Sequence, residues 1–322
     1  MREPRDAEHA LANGADTSPI WNSTPFALGT AKSDATLAPP AALTARRAPL
    51  HLQRFIVNMT QLTAITSTAF ADRNWQRYAN YAFASRMNLI PALATELAKL
   101  VPALPMGFIP RAERFQLAAL TSLQPDSNLF VAPDGRWLAG YVPAALRGYP
   151  FALARPEGAP ESVLCIDEAS GLIVAAGAGE PFFDADGQPA KTVKEVLNFL
   201  ARVEHDRAVT QTMVDALQAA SLIQPWPITV NRDGAAVPVE GIHRVDEAAL
   251  NALDDAAWLA LRRSGALALV YAQLFSMNQL ALFEQAGAAQ ARMRPPPQQP
   301  RAPSLQDLGL SFGEEDSLRF DW

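Results

Sequence analysis

The sequence predicts an α+β protein, antiparallel β-hairpins packed with helices in a single domain, with disordered N- and C-terminal tails. Three observations lead there. Asp-Gly and Ser-Gly turn signals recur between short apolar runs, one uninterrupted amphipathic stretch covers 192–222, and the Ala/Pro/Ser/Thr-rich opening shows no sustained periodicity. With 322 residues, 49% of them hydrophobic and 19% charged, the chain is long enough for one sizeable core plus tails.

Residues 1–58 are read as a disordered N-terminal extension, because their composition cannot bury enough surface to offset the entropy of ordering. The folded domain is expected over 59–285. It opens with an aromatic segment (Trp75, Tyr78, Tyr81, Phe83). A helix follows around Ala92 to Leu100, with Pro91 suited to its first turn, and then a strand near Ala103 to Ile109. Pro133, Asp134 and Gly135 form a turn sequence, so the flanking runs are expected to fold back as a hairpin. Its second strand, Trp137 to Val142, is apolar on both faces and is expected to be covered on both.

Val163 to Ile166 and Leu172 to Ala176 bracket the turn Asp-Glu-Ala-Ser-Gly and read as a second hairpin. In the long helix, Val193, Val196, Leu197, Leu200 and Val203 recur at helical spacing and form an inward stripe. A third hairpin turns at Asp233 and Gly234, with Pro238 marking an edge or a bulge. Asp246 and Asp254 fit N-caps, Gly265 fits the residue after a helix C-terminus, and Ala266 to Gln285 reads as a final buried helix. Residues 286–303 form a Pro-rich linker expected to be extended, and 304–322 an acidic, aromatic C-terminal peptide. In that peptide Phe312, Phe320 and Trp322 alternate with polar residues and could anchor an added strand on a partner.

Several function classes find no support. A net charge of -6 with no basic face argues against nucleic acid. The single cysteine, Cys165, excludes an intrachain disulfide framework and a Cys-based zinc cluster, and its apolar strand suggests a small buried hydrophobe. No cofactor motif is present: Gly177-Ala178-Gly179 is followed by Pro181 and Phe182, which oppose a dinucleotide turn. His205 stands between Glu204 and Asp206 at azimuths that cannot share a metal, so no metal site is expected. No Gly-x-Ser-x-Gly elbow occurs, and the balance leans against an enzyme. The longest apolar runs read as too short for a membrane span. With no signal-like opening, cytoplasmic residence is the simpler expectation, and the oligomeric state stays open.

Two places remain for recognition. Arg147, Tyr149 and Phe151 combine a planar cation with aromatic rings, against the plainer reading of a core corner. His243 lies between a strand and a capped helix beside Asp246 and Glu247, where packing or capping competes with ligand contact.

The segment NLFVAPDGRWLAGYVPAALRGYPF resembles the core of the bacterial SapC family, named for a protein associated with paracrystalline surface layers. RNWQRYANYAFASRMNLIPALATELAKLVPALPMGF upstream, and VLCIDEASG, VDEAALNAL and LVYAQLFSMNQL downstream, extend the resemblance over Met59 to Phe283. It implies a non-catalytic accessory or assembly protein of a surface layer or outer-membrane uptake system. A surface or envelope protein would be its partner, and the cell surface would be reached without a cleaved N-terminal signal. It carries over no catalytic residue. The alternative is an enzyme or ligand-binding domain acting on a small molecule or glycan near Arg147, Tyr149 and His243.

Overall fold

The computed structural model describes residues 59, 61–155, 161–232 and 234–293. In chain order the elements are β1 (Leu62–Ala64), α1 (Ser67–Phe70), β2 (Arg73–Trp75), β3 (Leu89–Pro91), α2 (Leu97–Leu100), β4 (Met106–Arg111) and β5 (Arg114–Leu120). There follow α3 (Ala144–Arg147), β6 (Phe151–Ala154), β7 (Val163–Asp167), β8 (Ile173–Ala175), β9 (Glu180–Pro181) and α4 (Lys191–Ala219). The last group is β10 (Ile223–Pro225), β11 (Ile228–Arg232), β12 (Ala235–Val239), β13 (His243–Val245), α5 (Glu247–Asn251), α6 (Asp255–Ser264), α7 (Ala266–Ser276) and α8 (Leu282–Met293). The fold is α+β with antiparallel sheets, as the sequence predicts.

The largest sheet has five strands in the order β10-β13-β4-β5-β3. Its centre is the β4–β5 hairpin, whose Phe108 faces Leu117 and whose Met106 faces Ala119. The sequence reading missed β5. The hairpin turns through Ala112 at φ 50, and Arg-Ala-Glu-Arg carries none of the glycine or asparagine that normally announces a left-handed turn residue. Pro91 ends β3 and does not open a helix; the helix begins later, with a 3-10 turn at Ala94–Glu96 running into α2.

Two expected hairpins change form. Around Pro133-Asp134-Gly135 the chain does reverse, with Gly135 at φ 85 and a bridge between Val131 and Trp137, but no strand extends beyond that bridge. Trp137 is half-buried, not enclosed on two faces. β7 and β8 do not pair with each other: β7 lies between β1 and β6, while β8 pairs with β2, whose other edge carries β9. The turn was legible, with Asp167 capping the 3-10 turn and Gly171 at φ 70. Its short-range chemistry could not say that the two strands go to different sheets. The third hairpin forms as expected, with Thr229 opposite Pro238 in a separate two-stranded ribbon.

The 29-residue α4 is about 43 Å long at ~1.5 Å per residue, and it links two cores. Its first half places Val193, Val196 and Leu200 against Phe70, Trp75, Phe151, Ile166 and Phe182. Its second half places Val214 and Leu217 in the main core with Leu100, Phe108, Leu117 and Leu269. Asp246 and Asp254 accept the backbone N–H groups of Ala249 and Ala257, capping α5 and α6, and Gly265 sits at φ 76.

The expected final helix is longer and divided: α7, a 3-10 stretch at Met277–Ala281, then α8. Taken together, Ala266–Met293 is long and apolar enough to cross a membrane by length and composition alone, a test that the core helix of a soluble protein also passes. Its inward face is tied to the sheet. Gln273, fully buried, accepts from Val245 N and donates to Met106 O, while Ser276 Oγ accepts from Met106 N. A buried amide that satisfies two strands at once fixes where α7 lies.

Candidate functional site

A buried polar centre has formed where the sequence suggested only Arg147 and Tyr149. Glu96 lies on the 3-10 turn before α2, held there because Thr210 on α4 accepts from Ala94 N at 2.8 Å. Although charged, Glu96 is only 5% exposed. One of its carboxylate oxygens, Oε1, accepts from Tyr141 OH at 2.7 Å, from Ala144 N at 2.7 Å and from an Arg147 guanidinium nitrogen at 3.2 Å. Arg147 also donates to the Tyr141 hydroxyl and lies over its ring, and Lys99 approaches the same ring at 5.6 Å. Burial, reinforced by the hydrogen bond to Glu96 and its charge, holds the Tyr141 phenol well above its ordinary pKa. The second oxygen of Glu96 and Nε of Arg147 are both out of solvent, without a hydrogen-bond partner among the described residues.

An aromatic wall borders this centre. Tyr149 stacks on Phe83 with centroids 3.9 Å apart, and Tyr78 meets Tyr81, Phe83 and Tyr149 edge-on. Burial raises the pKa of Tyr78 and of Tyr149. Phe151, expected as a contact residue, is instead buried core on β6, edge-on to Trp75. A partner could not reach it without opening that core.

His243 lies elsewhere, on β13 opposite Phe108, its ring against Phe115. It lines an open cleft of about 380 Å³ between the β11–β12 ribbon and the main sheet. Most of the other lining is apolar, with Trp226, Ile228, Ile242 and the rings of Pro225, Pro227 and Pro238, while Thr229 and Glu240 add polar groups. Burial pushes the His243 pKa down, with a weaker opposing contact from the Gly241 backbone, and Nδ1 is out of solvent with no hydrogen bond of good geometry among the described residues. Gly107 on β4 lets the floor close, because a Cβ there would stand 2.9 Å from Ile242 Cγ2. Arg147 and Tyr149 therefore do not share a site with His243; the partners of the two groups have no residue in common.

His205 sits on the exposed face of α4. Cys165 is buried in β7, and burial pushes its thiol up to about 11. Phe312, Phe320 and Trp322 lie outside the described residues. Sequence reasoning missed Glu96, yet a signal existed. Leu93, Glu96, Leu97 and Leu100 occupy i, i+3, i+4 and i+7, so a carboxylate stands on the apolar stripe of a predicted helix.

The fold defines an α+β protein of antiparallel sheets joined by one long helix, with a buried carboxylate–tyrosine–arginine centre. A family model named SapC matches residues 65–282, and the chain belongs to the SapC family. No curated protein and no solved structure matches the chain significantly.

Proposed function

We propose that the protein is a non-catalytic accessory or assembly component that binds a protein partner in a bacterial surface layer or outer-membrane uptake system. Family membership supports the setting, and one surface feature supports the mode of action. On α7, Tyr271 and Phe275 stand one turn apart and stack at 6.2 Å while 42% and 60% exposed. The opposite face of the helix is committed to the core through Leu269, Val270 and Gln273. Covering a large ring of this kind contributes about 1.5–3 kcal/mol, so a face that leaves two of them in water is suited to a partner. In this reading the folded unit runs from residue 59 through α8 to Met293, past the expected boundary at 285, because Gln290 is bonded to Asn128 and Val131, and 304–322 are a second contact element.

The test is affinity capture from the envelope fraction of the native host with wild type and with Tyr271→Ser/Phe275→Ser. A partner identified as a surface or envelope component, recovered by wild type and lost by the variant, supports the proposal. Equal recovery of every companion by both proteins overturns it. A second reading, a ligand-binding domain, is favoured by the His243 cleft.

A further inference from the structure

We infer that the cleft between the β11–β12 ribbon and β13 is a binding site for a small, uncharged, ring-bearing molecule with one hydroxyl group, which hydrogen-bonds His243. The inference rests on the ligand-binding reading and is independent of the Tyr271–Phe275 face, with which the cleft shares no residue.

Size, lining and charge each narrow the ligand. At about 380 Å³ the cleft falls within the range of small-molecule pockets and suits one or two rings. Its walls are the indole of Trp226, three proline rings and the branched side chains of Ile228, Val239 and Ile242, flat or compact surfaces that match a ring better than a flexible chain. The polar side chains among its lining residues are Thr229, Glu240 and His243. Glu240 is exposed and repels an anion, which disfavours carboxylates and phosphates. His243 is the anchor. Its imidazole is fixed from behind by Phe115, which β5 carries and α4 holds through Gln218 and Gln211 to the Phe115 backbone. Its Nδ1 is out of solvent, so a ligand hydroxyl, able to donate or accept, meets the ring at Nε2 in either tautomer.

The cleft is built by the chain, not left over from loose packing. Trp226 N donates to Ile242 O at 2.9 Å, which ties the segment entering the ribbon to the one leaving it, and Ile228 N donates to Trp226 O at 2.8 Å in a local turn at the base. Gly241 at φ 78 turns the returning strand toward His243.

The experiment uses the full chain with 15N-labelled histidine and three probes: 4-ethylphenol, ethylbenzene and 4-ethylbenzoate. The phenol is expected to bind about tenfold tighter than ethylbenzene, the value of one hydrogen bond. It should shift the His243 ring resonances, while the benzoate binds more weakly than either. His243→Phe keeps the packing against Phe115 and should erase the preference for the phenol while leaving ethylbenzene unchanged. Thr229→Trp, an exposed position on the cleft wall, should weaken both neutral probes. Absence of binding at millimolar probe, a phenol preference that survives His243→Phe, or affinities unmoved by Thr229→Trp would each overturn the assignment. None of these outcomes bears on capture through Tyr271 and Phe275, so the two readings fail separately.

Discussion

Glu96 and Ala144 are 48 residues apart, yet one carboxylate oxygen of Glu96 accepts the first backbone N–H of α3 at 2.7 Å. It caps a helix whose own N-cap residue, Pro143, has no side-chain acceptor. The same oxygen holds Tyr141 and Arg147, so one buried acid orders the whole stretch from Tyr141 to Arg147.

Removing that acid is the first prediction. Glu96→Ala leaves the Tyr141 hydroxyl, the Ala144 N–H and Arg147 without their acceptor, and should cost about 3–5 kcal/mol. Arg147→Ala should cost about 1–3 kcal/mol, less because the Arg147 side chain is 37% exposed and water replaces part of the contact. Urea unfolding of the two variants gives the order directly. A larger loss for Arg147→Ala would show that Glu96 is not the organising group.

Gly179 provides a second, purely steric test. At φ 70 its missing Cβ would lie 2.4 Å from the Trp75 carbonyl oxygen, against backbone that cannot yield. Gly179→Ala should destabilise by about 1–3 kcal/mol from backbone strain alone, with the clash added. Gly177→Ala, also at positive φ but with open space around it, should cost less.

Local chemistry was legible from sequence and long-range pairing was not. The caps at Asp246 and Asp254, the turn at Gly171, the run of α4 and the β11–β12 ribbon all follow from neighbours within a few residues. β7 and β8 were also visible as strands. Their separation into two sheets depends on β1 and β2, three-residue strands too short to show a period in the sequence. The polar centre was half legible: Arg147 was singled out, while its partner Glu96 lies 51 residues away. Phe151 was read both as a contact and as a core corner, because an aromatic beside a turn reads the same whether it faces a partner or a second core, and it lies in the core.

Cys165 carries a pH signature. Burial raises its thiol from 9.0 to about 11, so between those values the unfolded chain has released a proton that the folded chain keeps. Stability therefore falls as pH rises through that window, by up to about 1.4 kcal/mol per unit. Cys165→Ala lacks this slope, and the difference between the two unfolding curves measures it. In the native state at pH 8 the thiol should resist disulfide reagents until urea exposes it. Rapid native labelling would contradict the burial.

His243 acts at the other end of the scale. Its folded pKa is depressed, chiefly by burial, so the unfolded chain binds its proton first as pH falls. The contribution to stability is fully present above about 6.5 and is lost as pH drops through the folded value. His243→Phe should flatten the acid limb of the stability profile. A wild-type ring that titrates above 6.5 in a histidine NMR titration would reverse the sign.

The exposed face of α7, where Tyr271 and Phe275 stand in water, is proposed to meet a partner. A photo-crosslinking residue placed at Phe275, with a second protein carrying it at exposed His205 on α4 as control, tests this in living cells of the native host. One dominant crosslinked envelope or surface-layer product is expected from position 275 and none from position 205. No product from 275, or the same products from both positions, would contradict it.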